Sequence, residues 1–143
     1  MSATSDASSN QLVLHVGPMK TATTYVQAIL AQNRDELEQQ GWAYPGMRDN
    51  QQHAFYGICG SSIPWVTEAV HLNYRRSGDV LLREINNRRN SQVLSSEALA
   101  TLSIPAIEDL VRVVGEPDRI VFTLRDLSRL IPSAWQQYLK SGG

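Results

Sequence analysis

The chain has 143 residues, a length that suits one domain with its own hydrophobic core. Its 13 basic and 14 acidic side chains give a net charge of −1, so no excess of positive charge favours nucleic acid or an anionic membrane as a partner. Cys59 is the single cysteine, which excludes an internal disulfide and indicates a reducing compartment. We expect Cys59 to be an inert thiol, because no basic residue stands beside it.

The sequence carries no targeting feature that we can identify. Residues 1–10 are mostly Ser, Ala and Thr and lack the basic start and apolar centre of a signal peptide, so we expect a disordered tail. No apolar run approaches the roughly 18 residues that a membrane span needs. These observations predict a cytoplasmic protein without a membrane span.

The first predicted element is a buried strand that turns sharply into a helix. The strand is the apolar run from Leu12 to Val16, which Gly17-Pro18 ends. Helical spacing follows from about Thr21 to Gln40, and Gly41 is a natural closing residue. Such a junction directs free backbone N–H groups and the positive end of the helix dipole at one point, which favours an anion. The alternative is an ordinary turn with one exposed lysine.

The middle of the chain is predicted to hold short, separate elements. They are an extended piece at 42–44, a surface loop at 47–62 with a short helix near 53–56, a helix at 63–74, a break at Ser77-Gly78-Asp79 and a second helix through 81–85. Five arginines on these helical segments form either a solvated basic face or the edge of a site for an anionic acceptor or cofactor; they are Arg75, Arg76, Arg83, Arg88 and Arg89.

Strands and helices alternate in the remainder, which predicts an α/β fold with a parallel sheet. We expect strands at 92–96 and 119–124, a helix at 104–114 and a closing helical segment to Lys140. Ligands of such sheets bind outside the carboxyl ends of the strands. Three polar clusters should meet there, at 20–24, 95–97 and 125–128.

A second anion anchor is predicted after the last strand. Pro132 costs about 3 kcal/mol inside a helix but is tolerated in a first turn, so we expect a turn or short helix at 126–131 and a new helix that begins near Pro132. Ser133 would then lie at a helix N-terminus, which favours an anion. Arg125, at the end of the strand, can offer a forked and permanently charged partner to the same anion.

These two anchors resemble those of the sulfotransferases that use 3′-phosphoadenosine 5′-phosphosulfate (PAPS), in their bacterial branch. The pattern Gly17-x-x-Lys20-x-x-Thr23-Thr24 is similar to the 5′-phosphosulfate loop and differs from the Gly-Lys-Ser/Thr loop of nucleoside triphosphate enzymes. The family usually has Gly where this chain has Ala22, and Ala does not readily take a positive φ. The spacing of Arg125 and Ser133 resembles the 3′-phosphate site.

The resemblance, which spans residues 12–140, implies a three-layer α/β/α fold of the P-loop nucleotide-binding type with a central parallel sheet. Relatives are longer, so residues 11–143 would be the N-terminal part of an incomplete domain that exposes apolar surface. The implied activity is transfer of a sulfuryl group from PAPS to a hydroxyl or amine, with adenosine 3′,5′-bisphosphate as product. The acceptor class is open between small molecules, lipids and carbohydrates.

The resemblance also assigns site residues. Lys20, Thr23 and Thr24 would hold the 5′-phosphosulfate together with backbone groups of the loop, and Arg125 and Ser133 would hold the 3′-phosphate. The other loop residues that the resemblance assigns to cofactor binding are Gly17, Met19, Thr21 and Ala22. No metal is required, and the sequence contains no cluster of metal-ligating residues.

The general base is Glu97 or His53. The family uses Glu in some branches and His in others, and Glu97 follows a strand beside the predicted cofactor site. Its alternative role is that of a carboxylate at a helix start. His53 is the second choice, on a loop that could reach an acceptor, whereas His15 is expected to pack in the core and His71 has no partner in its segment.

Two other functional classes stay open. A kinase of the same architecture would need a Mg²⁺-binding carboxylate at a strand end, for which Asp126 is the candidate. A non-catalytic binding or assembly module would keep only the fold.

Overall fold

The computed structural model describes residues 10–60, 67–87 and 89–140. These residues form four strands, six α-helices and a 3₁₀ turn at Glu97–Thr101. The elements are β1 Leu12–Val16, α1 Thr23–Gln32, α2 Arg34–Gln39, β2 Trp42–Ala43, α3 Gln52–Ile58, α4 Glu68–Asn86, β3 Ser91–Ser95, α5 Ile104–Val114, β4 Arg119–Phe122 and α6 Leu127–Lys140. The predicted tail up to residue 9, the first part of the helix predicted at 63–74, and Arg88 lie outside the described residues.

The four strands form one parallel sheet in the order β2-β3-β1-β4, so the predicted α/β class is confirmed. Leu14 of β1 lies opposite Leu94 of β3 on one side and Ile120 of β4 on the other. From β1 the chain crosses past β3 to reach β2 at one edge of the sheet. From β3 it crosses past β1, in the opposite direction, to reach β4 at the other edge. Because parallel crossovers are right-handed, these connections favour opposite faces of the sheet, which is compatible with three layers.

Strand β1 is central, and its side chains are buried on both faces, as in sheets covered by helices on both sides. The core combines strand residues with the inner faces of α3, α4 and α5. Its largest members are Leu12, Leu14, Leu94, Phe55, Leu81, Ile85, Leu110 and Val114.

The single helix predicted from Thr21 to Gln40 is wrong, because it is divided at Asn33. The Asn33 side chain donates a hydrogen bond to the Ile29 carbonyl at 2.7 Å, and its backbone takes a non-helical φ of −108°. Helix α1 also begins two residues late, at Thr23. Asn can satisfy carbonyl groups at a helix end with its own amide, and this local bond competes with continuation of the helix.

The break predicted at Ser77-Gly78-Asp79 is also wrong, since α4 runs through it without interruption. Gly78 is buried where α4 crosses α3, and a Cβ there would lie 3.1 Å from the Ala54 carbonyl oxygen. A Cβ on Gly57 of α3 would overlap the Tyr74 carbonyl. These two glycines therefore allow close helix packing. The short helix predicted near 53–56 is confirmed as α3, which spans Gln52–Ile58.

The helix start predicted near Pro132 is wrong as well. Helix α6 begins at Leu127 and continues through Pro132, and Asp126 caps it by accepting a hydrogen bond from Ser128 N at 2.8 Å. Ser133 therefore lies in the interior of a helix and receives no N-terminal dipole. Strand β4 ends at Phe122, two residues before the predicted Leu124.

Strand β4 and helix α6 expose most of their apolar side chains, including Phe122, Leu127, Ile131 and Trp135 at about 60% exposure each. Among the described residues, no helix has both the length and the apolarity needed to cross a bilayer.

Candidate functional site

The carboxyl ends of β3, β1 and β4 are joined by backbone hydrogen bonds. Ser96 N donates to the His15 carbonyl at 3.3 Å, and Thr123 N donates to the Val16 carbonyl at 3.0 Å. The predicted meeting of the three polar clusters at one sheet edge is thereby confirmed. The segment from Gly17 to Thr24, hereafter the β1 loop, lies in the middle of this edge.

The β1 loop is held in a tight conformation by hydroxyl groups. Thr21 Oγ1 donates to the Pro18 carbonyl at 2.7 Å and lies 3.2 Å from Thr123 Oγ1. A Cβ on Gly17 would overlap Thr123 Oγ1 and would lie 2.7 Å from Thr21 Oγ1. Gly17 is needed because two neighbouring hydroxyls occupy the space of any side chain.

Two residues of the β1 loop have left-handed backbones, Lys20 with φ 70° and Ala22 with φ 68°. Ala22 therefore takes the positive φ that Ala does not readily adopt. This conformation costs about 1–2 kcal/mol for a residue with a Cβ. Such strain persists only where surrounding contacts enforce it, and it is concentrated at functional loops.

Ala22 is also the N-cap of α1, and its carbonyl accepts from Tyr25 N and Val26 N. No side chain caps this end. The backbone N–H groups at the start of α1 therefore remain available to an anion, and the helix dipole favours negative charge there. Thr23 is buried at this end, whereas Thr24 is exposed.

Lys20 and Arg125 lie together at the exposed side of the loop. Arg125 donates from its guanidinium to the Lys20 carbonyl at 3.2 Å, and Lys20 Nζ donates to Gln137 Oε1 at 3.1 Å. The two cationic anchors predicted from separate strands are thus neighbours. Gln137 was not predicted as a site residue, because nothing in the sequence signals that α6 folds back over the loop.

Glu97 contacts the β1 loop directly, because its carboxylate accepts a hydrogen bond from the Thr23 hydroxyl. It is the first residue of the 3₁₀ turn, where Ser96 Oγ supplies the cap by accepting from Ala98 N at 3.1 Å. Because Ser96 provides the cap, Glu97 is not needed for that task. Its second carboxylate oxygen has no hydrogen bond to a described residue.

His53 lies on α3 and contacts other residues than the β1 loop. Its ring stacks on Tyr74 with centroids 4.7 Å apart, and its Nδ1 lies 3.2 Å from a guanidinium nitrogen of Arg48. Burial, and secondly the charge of Arg48, lower the pKa of His53. The imidazole therefore favours its neutral form.

His15 is a core residue, as predicted. It is 4% exposed, and its Nδ1 lies 2.7 Å from Ser95 Oγ, whereas its Nε2 has no partner among the described residues. Burial lowers the pKa of His15. Burial also raises the pKa of the half-buried Cys59 thiol, which disfavours the reactive thiolate.

Asp126 is engaged at the start of α6. Its carboxylate accepts from both the backbone N–H and the hydroxyl of Ser128, and these bonds lower the pKa of Asp126. A carboxylate used in this way is less available for Mg²⁺. No group of three or more metal-ligating side chains occurs among the described residues.

No protein-family model, curated protein sequence or solved structure matches this chain.

Proposed function

We propose that the chain is a sulfotransferase of the P-loop type, which transfers a sulfuryl group from PAPS to a hydroxyl or amine. In this proposal Lys20, the Thr24 hydroxyl and the backbone N–H groups that open α1 hold the 5′-phosphosulfate. Thr23 contributes its backbone N–H, because its hydroxyl donates to Glu97. Arg125 holds the 3′-phosphate. Ser133 stays a prediction, and its contribution would come from its hydroxyl rather than from a helix N-terminus.

The contact between Arg125 and the Lys20 carbonyl is the observation that carries the proposal. The contact brings the guanidinium group of Arg125, which follows β4, next to the loop that follows β1. Two anionic groups of one nucleotide would then have neighbouring cationic partners. Neither side chain forms an ion pair with a described carboxylate. A nucleotide with phosphates at both ends would satisfy both charges.

The proposed chemistry needs charge stabilisation and proton removal. Negative charge develops on the oxygen that bridges the sulfuryl group and the leaving phosphate, and Lys20 with the α1 N–H groups can stabilise it. As the new sulfur–oxygen bond forms, the acceptor hydroxyl loses its proton to a general base. Glu97 is our first candidate, because it contacts the loop and its second carboxylate oxygen has no hydrogen bond to a residue that the structure describes.

Titration calorimetry with four ligands tests the proposal: adenosine 3′,5′-bisphosphate, AMP, ATP with Mg²⁺, and sulfate. We expect the bisphosphate to bind at least about tenfold more tightly than AMP, since only it engages Arg125 with a second charge-assisted contact. Arg125→Gln should remove this preference. Arg129→Gln, which removes an exposed arginine of α6 instead, is the matched control.

Equal affinity for the bisphosphate and AMP would overturn the role of Arg125. Tight binding of MgATP with weak binding of the bisphosphate would favour the kinase alternative. Failure of every nucleotide to bind would favour a non-catalytic module.

A further inference from the structure

A second concave site lies beyond the carboxyl end of β2. It is a cavity of about 250 Å³, hereafter the α3–α4 pocket, and it is lined by the β2–α3 connection, α3 and α4. Its apolar wall includes Ala54, Val80, Leu81 and the stem of Met47. The volume is below the ~300–1,000 Å³ of common ligand pockets, so it suits a ligand of modest size.

Two arginines give the α3–α4 pocket a positive rim. Arg48 and Arg76 both line it, and both are exposed. The side chain of Arg76 has no hydrogen bond or ion pair with a described residue. The Arg48 side chain donates only to His53 Nδ1, which is a neutral acceptor. No carboxylate is among the residues that line the pocket.

Glu84 is an acidic side chain that contacts the lining residue Gly46, and it is already engaged. Glu84 accepts a hydrogen bond from the backbone N–H of Gly46 at 2.6 Å. The two guanidinium groups therefore lack a described counter-ion beside an apolar wall. This combination is complementary to a molecule with an apolar body and one anionic group.

The α3–α4 pocket and the β1 loop lie at the same edge of the sheet. Because all strands are parallel, the segments after β2, β3 and β1 leave the sheet at that edge. Gln51 connects the two regions: it lines the pocket, is buried, and accepts from Ser95 N at 2.7 Å where β3 ends.

We infer that the α3–α4 pocket binds a small amphiphilic carboxylate and that this is the acceptor class of the proposed transfer. The apolar body packs on Ala54, Val80 and Leu81, and the carboxylate pairs with Arg76 and Arg48. The binding is independent of the proposed function, whereas the acceptor role rests on it. Sulfuryl transfer then requires a hydroxyl on the same molecule. Its oxygen forms the new bond to sulfur as the bond between sulfur and the bridging phosphate oxygen of PAPS breaks; Glu97 takes the hydroxyl proton, and adenosine 3′,5′-bisphosphate leaves.

Calorimetry with decanoate, decanol and acetate tests the binding. Decanoate should bind more tightly than either other probe, because only it supplies both an apolar body and a charge. Arg48→Gln and Arg76→Gln should each weaken decanoate binding by about tenfold. Arg83→Gln, on the same helix but outside the pocket lining, should leave it unchanged.

Val80→Asp gives an independent test, since it places a carboxylate at a half-exposed position of the pocket wall. It should abolish decanoate binding while the melting temperature stays close to that of the wild type. Decanol that binds as tightly as decanoate, or arginine variants that bind normally, would overturn the inference.

The acceptor role is tested with 10-hydroxydecanoate and PAPS. We expect sulfation with a KM that Arg76→Gln raises about tenfold while kcat changes little. If decanoate and adenosine 3′,5′-bisphosphate both bind but no sulfate is transferred, the acceptor role is wrong. If the bisphosphate fails to bind while decanoate binds, the proposed function is wrong, whereas carboxylate binding by the α3–α4 pocket is confirmed.

Discussion

The hydroxyl of Thr23 donates a hydrogen bond to the carboxylate of Glu97, which joins the loop after β1 to the turn after β3. The bond fixes the only carboxylate that contacts the β1 loop through a described hydrogen bond. It also orients Thr23 at the start of α1. A change at position 97 can therefore act through chemistry or through loop geometry, and variants must separate the two.

Glu97→Gln separates them, because the amide oxygen of Gln can still accept from Thr23. Loss of a general base typically lowers the rate by about 10²–10⁴-fold. We expect kcat of the sulfuryl transfer to fall by that factor while the Kd for adenosine 3′,5′-bisphosphate stays unchanged. His53→Ala is the comparison: if it abolishes turnover and Glu97→Gln does not, His53 is the base.

Lys20→Ala should abolish transfer and leave the fold intact. Lys20 is exposed and makes one side-chain hydrogen bond, to Gln137, so the free energy of unfolding should change by less than about 0.5 kcal/mol. Steady-state kinetics and urea denaturation measure the two quantities. Lys140→Ala, at the far end of α6, should have no effect on either; wild-type turnover of Lys20→Ala would remove Lys20 from the mechanism.

Gly17→Ala should destabilise the protein by about 1–3 kcal/mol, as overpacking of a filled site commonly does. The added methyl group would overlap Thr123 Oγ1. Removing that hydroxyl in the double variant Gly17→Ala/Thr123→Ala should recover part of the loss. Denaturant unfolding gives both values, and a single variant as stable as the wild type would contradict the packing described for this loop.

Ala22→Gly should raise the free energy of unfolding by about 0.5–1 kcal/mol. Relief of a left-handed backbone gains about 1–2 kcal/mol, and the extra freedom of Gly in the unfolded chain offsets about 0.5–1 kcal/mol of it. Ala28→Gly, inside α1, should instead lower stability by about 1 kcal/mol. If both variants lose stability equally, Ala22 is not strained.

Stability should fall as the pH drops from about 7.5 to 5.5. The unfolded imidazole has a pKa of about 6.5, and burial lowers the pKa of both His15 and His53 in the folded chain. Below about pH 6.5 the unfolded chain thus binds more protons, so the stability present at higher pH is lost. The double variant His15→Gln/His53→Gln should show a flatter pH profile of unfolding; an unchanged slope would contradict this assignment.

The sequence alone determined the α/β fold class and predicted where the candidate site lies. Apolar runs predict strands at 12–16, 92–96 and 119–124, and strands form at Leu12–Val16, Ser91–Ser95 and Arg119–Phe122. Polar residues directly after those strands predict one ligand edge, since parallel strands end together. These conclusions need only neighbouring residues and the topology that they imply.

Tertiary packing decided where helices continue and which side chains meet. In the sequence, Gly78 predicts a helix break. In the structure it lies where α4 crosses α3, and the absence of a Cβ leaves room for the Ala54 carbonyl. In the sequence, Pro132 predicts a helix start. In the structure it lies inside α6, which begins at Leu127 and is capped by Asp126. The Lys20–Gln137 and Thr23–Glu97 contacts join residues far apart in the chain, and local propensity carries no information about such pairs.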